Sequence, residues 1–317
     1  MGQKRMPAGK KQRVLITGGS GLLALNWACA IRGEHDVVLA THRHRVSLAN
    51  TTAVPMALDQ TGYLTEQFRR HAPDIIVHAA GITSVEQCEL EPVLAREINA
   101  LLARNVAESA SRIGAKLIHI STDHLFAGTR AGHTENDAPE PLNVYAKTKL
   151  LAEQWVETAH PGALIVRTNF FGWGHRHRQS FSDWIIRGLG RGEALTLFED
   201  AYFTPILADR LTAVVHRLVA LGAFGVYNVV GDERVSRHEF GLRLARRFAL
   251  PEALIRRGRI SQANLTARRP SDMSLDNTKA RSAIGAGMGT LEDYFDDLRH
   301  QQISGRDMEL LDAVTAG

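Results

Sequence analysis

A glycine-rich turn between a short apolar strand and a helix constrains this chain most. The strand is Arg13–Thr17, the turn is Gly18-Gly-Ser-Gly21, and a helical pattern covers Leu22–Ile31. Glycine lets the backbone turn tightly and approach a pyrophosphate, and the start of the helix offers N–H groups to phosphate oxygens. A plain strand-to-helix turn is the alternative, because the glycine pattern alone is weak. Its position at the first strand favours a dinucleotide site formed by Gly18, Ser20, Gly21 and Leu22.

Short apolar segments alternate with helical patterns through the first half of the chain. The predicted strands after the first are residues 36–40, 54–58, 74–80, 116–120 and 163–166, and the longest predicted helix is 92–114. Continuous apolar strands separated by helices are typical of a parallel sheet covered on both faces. The predicted fold class is therefore α/β, a doubly wound parallel sheet of the Rossmann type.

The pattern becomes less regular after residue 171, where a second, smaller α/β lobe is predicted. At 317 residues the chain exceeds the length, roughly 250–300 residues, at which a single core stops growing. We predict an NAD(P)-binding domain of residues 11–172 plus 201–231. Residues 173–200 plus 232–303 are expected to form a substrate-binding lobe.

Composition excludes several other classes of protein. The net charge is only +4, and the sequence has no dense basic segment, so no nucleic-acid partner is expected. Cys29 and Cys88 are too few for a disulfide framework and have no metal-ligand spacing around them, so no metal site is expected. No apolar segment approaches the ~20 residues that span a bilayer, and the basic residues 1–13 lack a signal-peptide apolar region. These features predict a cytoplasmic location and no membrane partner.

A basic segment after the second strand bears on the choice of dinucleotide. An acidic residue there commonly holds the ribose 2′-hydroxyl of NAD, whereas an Arg accommodates the 2′-phosphate of NADP. This chain has Thr41-His-Arg-His-Arg45 and no carboxylate. Contact of Arg43 or Arg45 with the phosphate favours NADP(H), with NAD(H) as the alternative. Asp59, after the third strand, is expected to accept from the adenine amine, or else to cap a helix.

A Tyr and a Lys four residues apart predict an acid–base centre. Tyr145-Ala-Lys-Thr-Lys149 lies in a helical pattern, so both side chains project from one face. A free phenol has a pKa of about 10, and a neighbouring ammonium is expected to lower it. A hydroxyl from Ser121 or Thr122, at the end of the strand 116–120, would hydrogen-bond a substrate carbonyl beside Tyr145. The alternative at 121–123 is a helix cap or an Asx turn.

At these residues the chain resembles the extended short-chain dehydrogenases/reductases, and within them the dTDP-4-dehydrorhamnose reductase family. The matching segments, spread over about residues 13–298, are 14–21, 78–81, 120–126, 141–149, 167–168, 200–205 and 269–276. The resemblance implies a nucleotide-linked 4-keto-6-deoxysugar as substrate and NAD(P)H as hydride donor. The family commonly has Tyr where His124 stands and Trp where Phe170 stands.

Roles for individual residues follow from the same resemblance. Thr122 and Tyr145 would contact the sugar C4 oxygen, Lys149 would bind the nicotinamide ribose, and Asn99 would support a proton relay. Ala79 and Ala80 are expected beside the cofactor. Substrate contacts are expected from His124, Asn169, Trp173 and Arg269, although Trp173 would alternatively fill the core.

Two other functions fit the same motifs. One is an NAD(P)-dependent epimerase or dehydratase of sugar nucleotides, and the other is a non-enzymatic NADP-binding regulatory subunit. The intact Tyr145–Lys149 pair favours a reductase. The basic segment 175–178 is typical of a solvated loop, with contact to the substrate's diphosphate as the alternative. A homodimer is expected because dimers are common in the family.

Overall fold

The computed structural model describes residues 11–316 and is built around one parallel sheet. The strands in chain order are β1 (Arg13–Thr17), β2 (Asp36–Thr41), β3 (His44–Val46), β4 (Thr52–Pro55), β5 (Ile75–His78), β6 (Lys116–Ile120), β7 (Leu164–Arg167), β8 (Phe170–Phe171), β9 (Leu195–Phe198), β10 (Tyr202–Phe203), β11 (Ile206–Leu207), β12 (Gly225–Asn228), β13 (Val235–Ser236), β14 (Ile255–Gly258) and β15 (Val314–Ala316). Seven of them form the central sheet in the order β12-β7-β6-β5-β1-β2-β4, with every pair parallel.

Helices cover both faces of this sheet. They are α1 (Leu22–Ile31), α2 (Thr61–His71), α3 (Val85–Leu90), α4 (Pro92–Arg96), α5 (Leu102–Ile113), α6 (Val144–Ala159), α7 (Phe181–Gly190), α8 (Ala208–Ala220), α9 (Arg237–Arg247), α10 (Thr278–Ile284), α11 (Leu291–Ile303) and α12 (Arg306–Asp312). A π-helical turn, Glu97–Leu101, joins α4 to α5, so the predicted helix 92–114 is continuous but not regular.

Successive side chains of each strand point to opposite faces of the sheet and so divide the core into two layers. Leu15 and Ile76 belong to the cluster beneath α5 and α6, whereas Ile16 and Val77 belong to the cluster beneath α1 and α8. Successive strand residues point to opposite faces, so an entirely apolar strand needs cover on both sides. The predicted doubly wound α/β class is confirmed.

The predicted bounds of two strands were wrong. β4 is Thr52–Pro55 and not 54–58, because it is an edge strand with an exposed Thr52 and Ala53, which hydrophobicity does not mark. β5 is Ile75–His78 and not 74–80, because the chain leaves the sheet before Ala79. The other predicted strands of the first half agree within a residue.

Smaller elements lie outside the central sheet. Two-stranded pairings join β9 with β14, β10 with β13, β8 with β11, and β3 with β15. α7 and α9 pack against β9, around a group of aromatic side chains that includes Phe181, Phe203 and Phe240. β12 joins the central sheet beside β7. The division into two domains stays a prediction. Within residues 11–316, every helix is too short or too polar to cross a bilayer.

Candidate active site

The glycine-rich turn, here called the cradle, leaves no room for a side chain at Gly18. Gly18 has a φ of +69°, and a Cβ there would lie 2.7 Å from Ala80 Cα. Gly21 N donates to Gly18 O at 2.7 Å, which closes the turn before α1 begins. Among the described residues no side chain caps the start of α1. These residues therefore fit a dinucleotide, with the pyrophosphate against the turn and the start of the helix.

The residues expected at the adenosine end lie beside this turn. Arg43 and Arg45 are exposed on the segment after β2, where Arg45 pairs with Thr315 of the C-terminal strand. Asp59 is exposed in the loop after β4. Both loops leave the carboxyl edge of the sheet, where ligands bind in folds of this type. Direct contact of Arg43, Arg45 and Asp59 with a cofactor stays a prediction.

The basic loop 175–178 lies beside the glycine-rich turn. The ring of His175 is buried near the main chain of Ser20, and burial lowers the pKa of His175 to about 4. The ring of His177 stacks on His44 with 5.7 Å between centroids. This loop is therefore partly buried and brings the second half of the chain to the predicted cofactor site. Residue spacing in the sequence does not predict this contact.

Helix α6 places Tyr145 and Lys149 side by side in the interior. Its N-cap, Asn143, accepts from Ala146 N at 2.9 Å, so the helix begins just before Tyr145. Tyr145 is 8% exposed and Lys149 is 7% exposed. The Lys149 ammonium donates to Ile120 O, at the end of β6, at 2.7 Å. The helix and the sheet together hold both groups at the carboxyl edge.

Burial controls the ionisation of both groups. It raises the pKa of Tyr145 to about 12, partly offset by a hydrogen bond with Thr122. It lowers the pKa of Lys149 to about 8, against the attraction of Glu153. The prediction of a lowered pKa for the Tyr145 phenol is therefore wrong here, because loss of hydration raises the net pKa of this group. Tyr145 stays protonated at neutral pH, as a proton donor must.

The segment after β6 carries two neighbouring polar groups toward Tyr145. Thr122 is 4% exposed, and its hydroxyl oxygen accepts from His124 N at 3.2 Å. Asp123 is 1% exposed and accepts from Asn169 Nδ2 at 2.6 Å. Burial raises the pKa of Asp123 to about 6, against the hydrogen bond from Asn169 and the charge of Arg237. Asp123 is held by other side chains and does not cap a helix.

Asn99 lies within the π-helical turn and links three parts of the site. Its Oδ1 accepts from Ile82 N at 2.7 Å, and its Nδ2 donates to Thr148 Oγ1 at 3.1 Å. Thr148 in turn donates to Tyr145 O at 2.8 Å. π-Helical turns are frequent at functional sites because they redirect side chains. Asn99 thus holds the loop after β5 against α6, and its role in a relay stays a prediction.

A cavity of about 410 Å³ brings these groups together. Most of the predicted site residues line it: Gly21, Leu22, Ala79, Ala80, Thr122, His124, Tyr145, Lys149, Asn169 and Arg269. The ring of His124 meets Tyr145 edge to face at 5.6 Å, and burial lowers the pKa of His124 to about 3, so His124 is neutral. One cavity therefore joins a phosphate cradle to a buried acid.

Comparison with known proteins agrees with this geometry. The family model for the RmlD substrate binding domain matches residues 12–299. The chain belongs to this family.

Two reductases and one crystal structure illustrate what this chain is similar to. A probable low-salt glycan biosynthesis reductase, Agl14, of Haloferax volcanii is 26% identical over 88% of this chain and 94% of its own. The dTDP-4-dehydrorhamnose reductase of Salmonella typhimurium is 34% identical over 56% of this chain and 60% of its own. The crystal structure of dTDP-4-dehydrorhamnose reductase from Bacillus anthracis in complex with NADP superposes with a TM-score of 0.82, at 26% identity, covering 92% of this chain and 99% of that one.

One predicted substrate residue of this RmlD-family chain lies elsewhere. Trp173 is 2% exposed, and its Nε1 donates to Leu298 O at 3.2 Å. Its ring belongs to the main hydrophobic core and does not line the cavity. The substrate contact predicted for Trp173 is therefore wrong and the alternative, a position in the core, is confirmed, because the loop that begins at Gly172 turns inward and α11 contacts the indole.

Three of the described arginines line the cavity, namely Arg178, Arg237 and Arg269. The sequence predicts a substrate contact for Arg269 and, as the alternative to a solvated loop, for the segment that contains Arg178. Arg178 hydrogen-bonds to the Thr83 hydroxyl, and Arg269 Nη2 donates to Glu86 Oε1 at 2.5 Å. Arg237, at the start of α9, is the third. The motif around Arg269 belongs to the resemblance, whereas no local pattern marks Arg237 as different from other arginines at helix starts.

Proposed function

We propose that this chain is an NADPH-dependent reductase of the 4-keto group of a nucleotide-linked 4-keto-6-deoxysugar. One observation carries the proposal: Tyr145, Thr122 and Lys149 line the same cavity as the glycine-rich turn. The names of its RmlD-family relatives support the substrate class, and the NADP complex of a structural neighbour supports the cofactor.

The residues divide the chemistry between them. Nicotinamide dinucleotide supplies a hydride to the carbonyl carbon when it is bound. Tyr145 then donates the phenolic proton to the carbonyl oxygen as general acid, which completes the alcohol. Thr122 hydrogen-bonds the same oxygen as negative charge develops. Lys149, held by Ile120 O, stabilises the phenolate that forms on Tyr145. Burial keeps water away from this proton transfer.

The preference for NADP(H) over NAD(H) is assigned to the basic turn after β2. Replacing with Ala whichever of Arg43 and Arg45 binds the 2′-phosphate weakens NADPH binding by about 10- to 100-fold, because a hydrogen bond to a charged group contributes roughly 1.5–3 kcal/mol. NADH binding stays unchanged, since NADH lacks that phosphate. Equal NADPH affinity in the wild type, R43A and R45A would remove the assignment.

The two rival functions differ from a reductase in what happens to the cofactor. An epimerase or dehydratase regenerates it in each turnover, and a regulatory subunit only binds it. Asp123 would be the acid of a dehydratase, but its carboxylate accepts from Asn169 and has a neutral amide, not a second acid, beside it. The buried Tyr145 and Lys149 disfavour a purely regulatory subunit. The expected homodimer and cytoplasmic location stay predictions.

One experiment separates all three functions. Purified protein is mixed with NADPH and a panel of 4-keto-6-deoxy nucleotide sugars, and absorbance at the reduced-nicotinamide band is followed. A reductase oxidises one equivalent of NADPH per equivalent of sugar reduced. Binding of NADPH without oxidation for every sugar of the panel, or conversion of sugar without net oxidation, would contradict the proposal.

A further inference from the structure

Arg237 projects into the cavity from a fixed position. It is the first residue of α9, directly after the N-cap Ser236, and its own N–H donates to Ala201 O at 2.9 Å. Its guanidinium lies 3.9 Å from the ring centroid of Phe203 and 4.7 Å from that of Phe181. The two rings hold the guanidinium in one orientation, which reduces the entropy lost when it binds a ligand.

Among the described residues, the guanidiniums of Arg237 and Arg178 have no carboxylate within 4.0 Å, whereas the third cavity arginine, Arg269, pairs with Glu86. Among residues 11–316, ion pairs of 4.0 Å or less include Arg269 with Glu86 and Arg234 with Asp272, but none that involves Arg237. A partly buried cation without a paired anion is unfavourable unless a ligand supplies the charge. The side chain faces the cavity and is open to such a ligand.

A second cation lies close enough to repel it. Burial, together with the charge of Arg269, lowers the pKa of Arg237 to about 10, against the attraction of Asp123. Both guanidiniums also act on His124, which places them at the same end of the cavity. Asp123 is already hydrogen-bonded to Asn169. Two like charges gathered around one space are typical of a site for an anion with more than one charge.

We propose that Arg237 binds the diphosphate of the nucleotide-linked substrate, with Arg269 on the other side of it. The assignment rests on the proposed function, in which the sugar itself is uncharged and the diphosphate is the anionic part of the substrate. A planar guanidinium donates two parallel hydrogen bonds to phosphate oxygens. Arg237 is therefore a substrate-binding residue outside the set that the catalytic motifs identify.

Calorimetry with nucleoside diphosphates tests this assignment without turnover. Protein loaded with NADP⁺ is titrated with dTDP, UDP and GDP, and with the corresponding nucleosides. Arg237→Met removes the charge and keeps most of the apolar stem, and Arg237→Lys keeps the charge without the planar fork. Arg256→Met, at an exposed position on β14 of the same half of the chain, is the control with an identical change of net charge.

For the diphosphate that binds the wild type best, R237M is expected to lose about 10- to 100-fold in affinity, the equivalent of one or more charged hydrogen bonds. R237K is expected to lose less, and R256M nothing. Nucleoside and NADPH affinities stay unchanged in all variants, which separates a lost contact from a misfolded lobe. Equal diphosphate affinity in R237M and the wild type would overturn the Arg237 assignment alone. NADPH binding by a wild type that binds none of the diphosphates would overturn both proposals.

Discussion

Lys149 Nζ donates to Ile120 O at 2.7 Å, so the end of β6 fixes the ammonium one helical turn away from Tyr145. The position and the burial of the Lys149 ammonium therefore depend on both α6 and β6. Burial lowers the pKa of Lys149 to about 8. Below that pH the ammonium is charged and stabilises the phenolate; above it the charge is lost.

The rate of ketone reduction is therefore expected to fall as the pH rises through about 8. Lys149→Met should lower kcat by about 10²–10⁴-fold and remove this alkaline limb. Lys147→Met is the matched control, because Lys147 is exposed on the same helix. A pH–kcat profile for all three proteins measures the effect. An unchanged alkaline limb in K149M would show that another group titrates.

Gly18 is the position where the cofactor cradle tolerates no side chain. With a φ of +69° and a Cβ that would lie 2.7 Å from Ala80 Cα, Gly18→Ala forces the turn to move. The strain should lower the free energy of unfolding by about 1–3 kcal/mol and abolish tight NADPH binding. Gly33→Ala, which meets no described atom within 4 Å, is the control. Fluorescence titration with NADPH and chemical unfolding measure the two effects. Wild-type NADPH affinity in G18A would show that the glycine-rich turn does not bind the cofactor.

Asp123 predicts a specific pH dependence of stability. Its pKa is raised from 3.8 to about 6 by burial, so the folded state binds the proton more tightly than the unfolded state does. Stability attributable to this group is present below about pH 4 and is lost as the pH rises through about 6. Relative to Asp123→Asn, the wild type should lose on the order of 3 kcal/mol between pH 4 and pH 7. A difference in the free energy of unfolding between the two proteins that stays constant from pH 4 to pH 7 would contradict this.

The buried pair beneath Ser121 is expected to be structural. Arg167 Nη2 donates to Glu153 Oε2 at 2.7 Å, and the Ser121 hydroxyl donates to Glu153 Oε1 at 2.5 Å. Glu153→Gln leaves the Arg167 charge buried and unpaired, a loss of about 3–5 kcal/mol. Arg191→Met, which breaks the exposed pair with Glu193, should leave the Tm nearly unchanged. Equal Tm changes in both variants would show that the buried pair contributes no more to stability than the exposed pair.

Local sequence patterns predicted the parts of the site that depend on one element or one turn. Tyr145 and Lys149 share a helical face, and Gly18 to Leu22 form one strand-to-helix turn, so spacing alone locates them. Arg237 and His175 reach the site through tertiary packing of the second half of the chain, which spacing does not encode. The sequence left two alternatives for Trp173, a substrate contact or a core position, because an aromatic residue in a loop suits either; burial of the side chain decides for the core.

The pKa values of Tyr145 and Lys149 depend on how deeply the two groups are buried, which the sequence does not show. A Tyr and a Lys one turn apart suggested a phenol of lowered pKa, but the same packing that brings them together also removes water from both. Desolvation then dominates. The predicted bounds of the edge strand β4 were wrong for a related reason, since exposed residues on a sheet edge carry no hydrophobic pattern.

Tyr145→Phe tests the central claim most directly, because it removes one hydroxyl and little else. The measurement is single-turnover oxidation of NADPH by a saturating 4-keto-6-deoxy nucleotide sugar, with NADPH affinity determined on the same preparation. Loss of the proton donor should slow the reaction by about 10²–10⁴-fold while NADPH affinity stays at the wild-type value. Turnover at the wild-type rate in Y145F would show that the phenol of Tyr145 does not protonate the ketone.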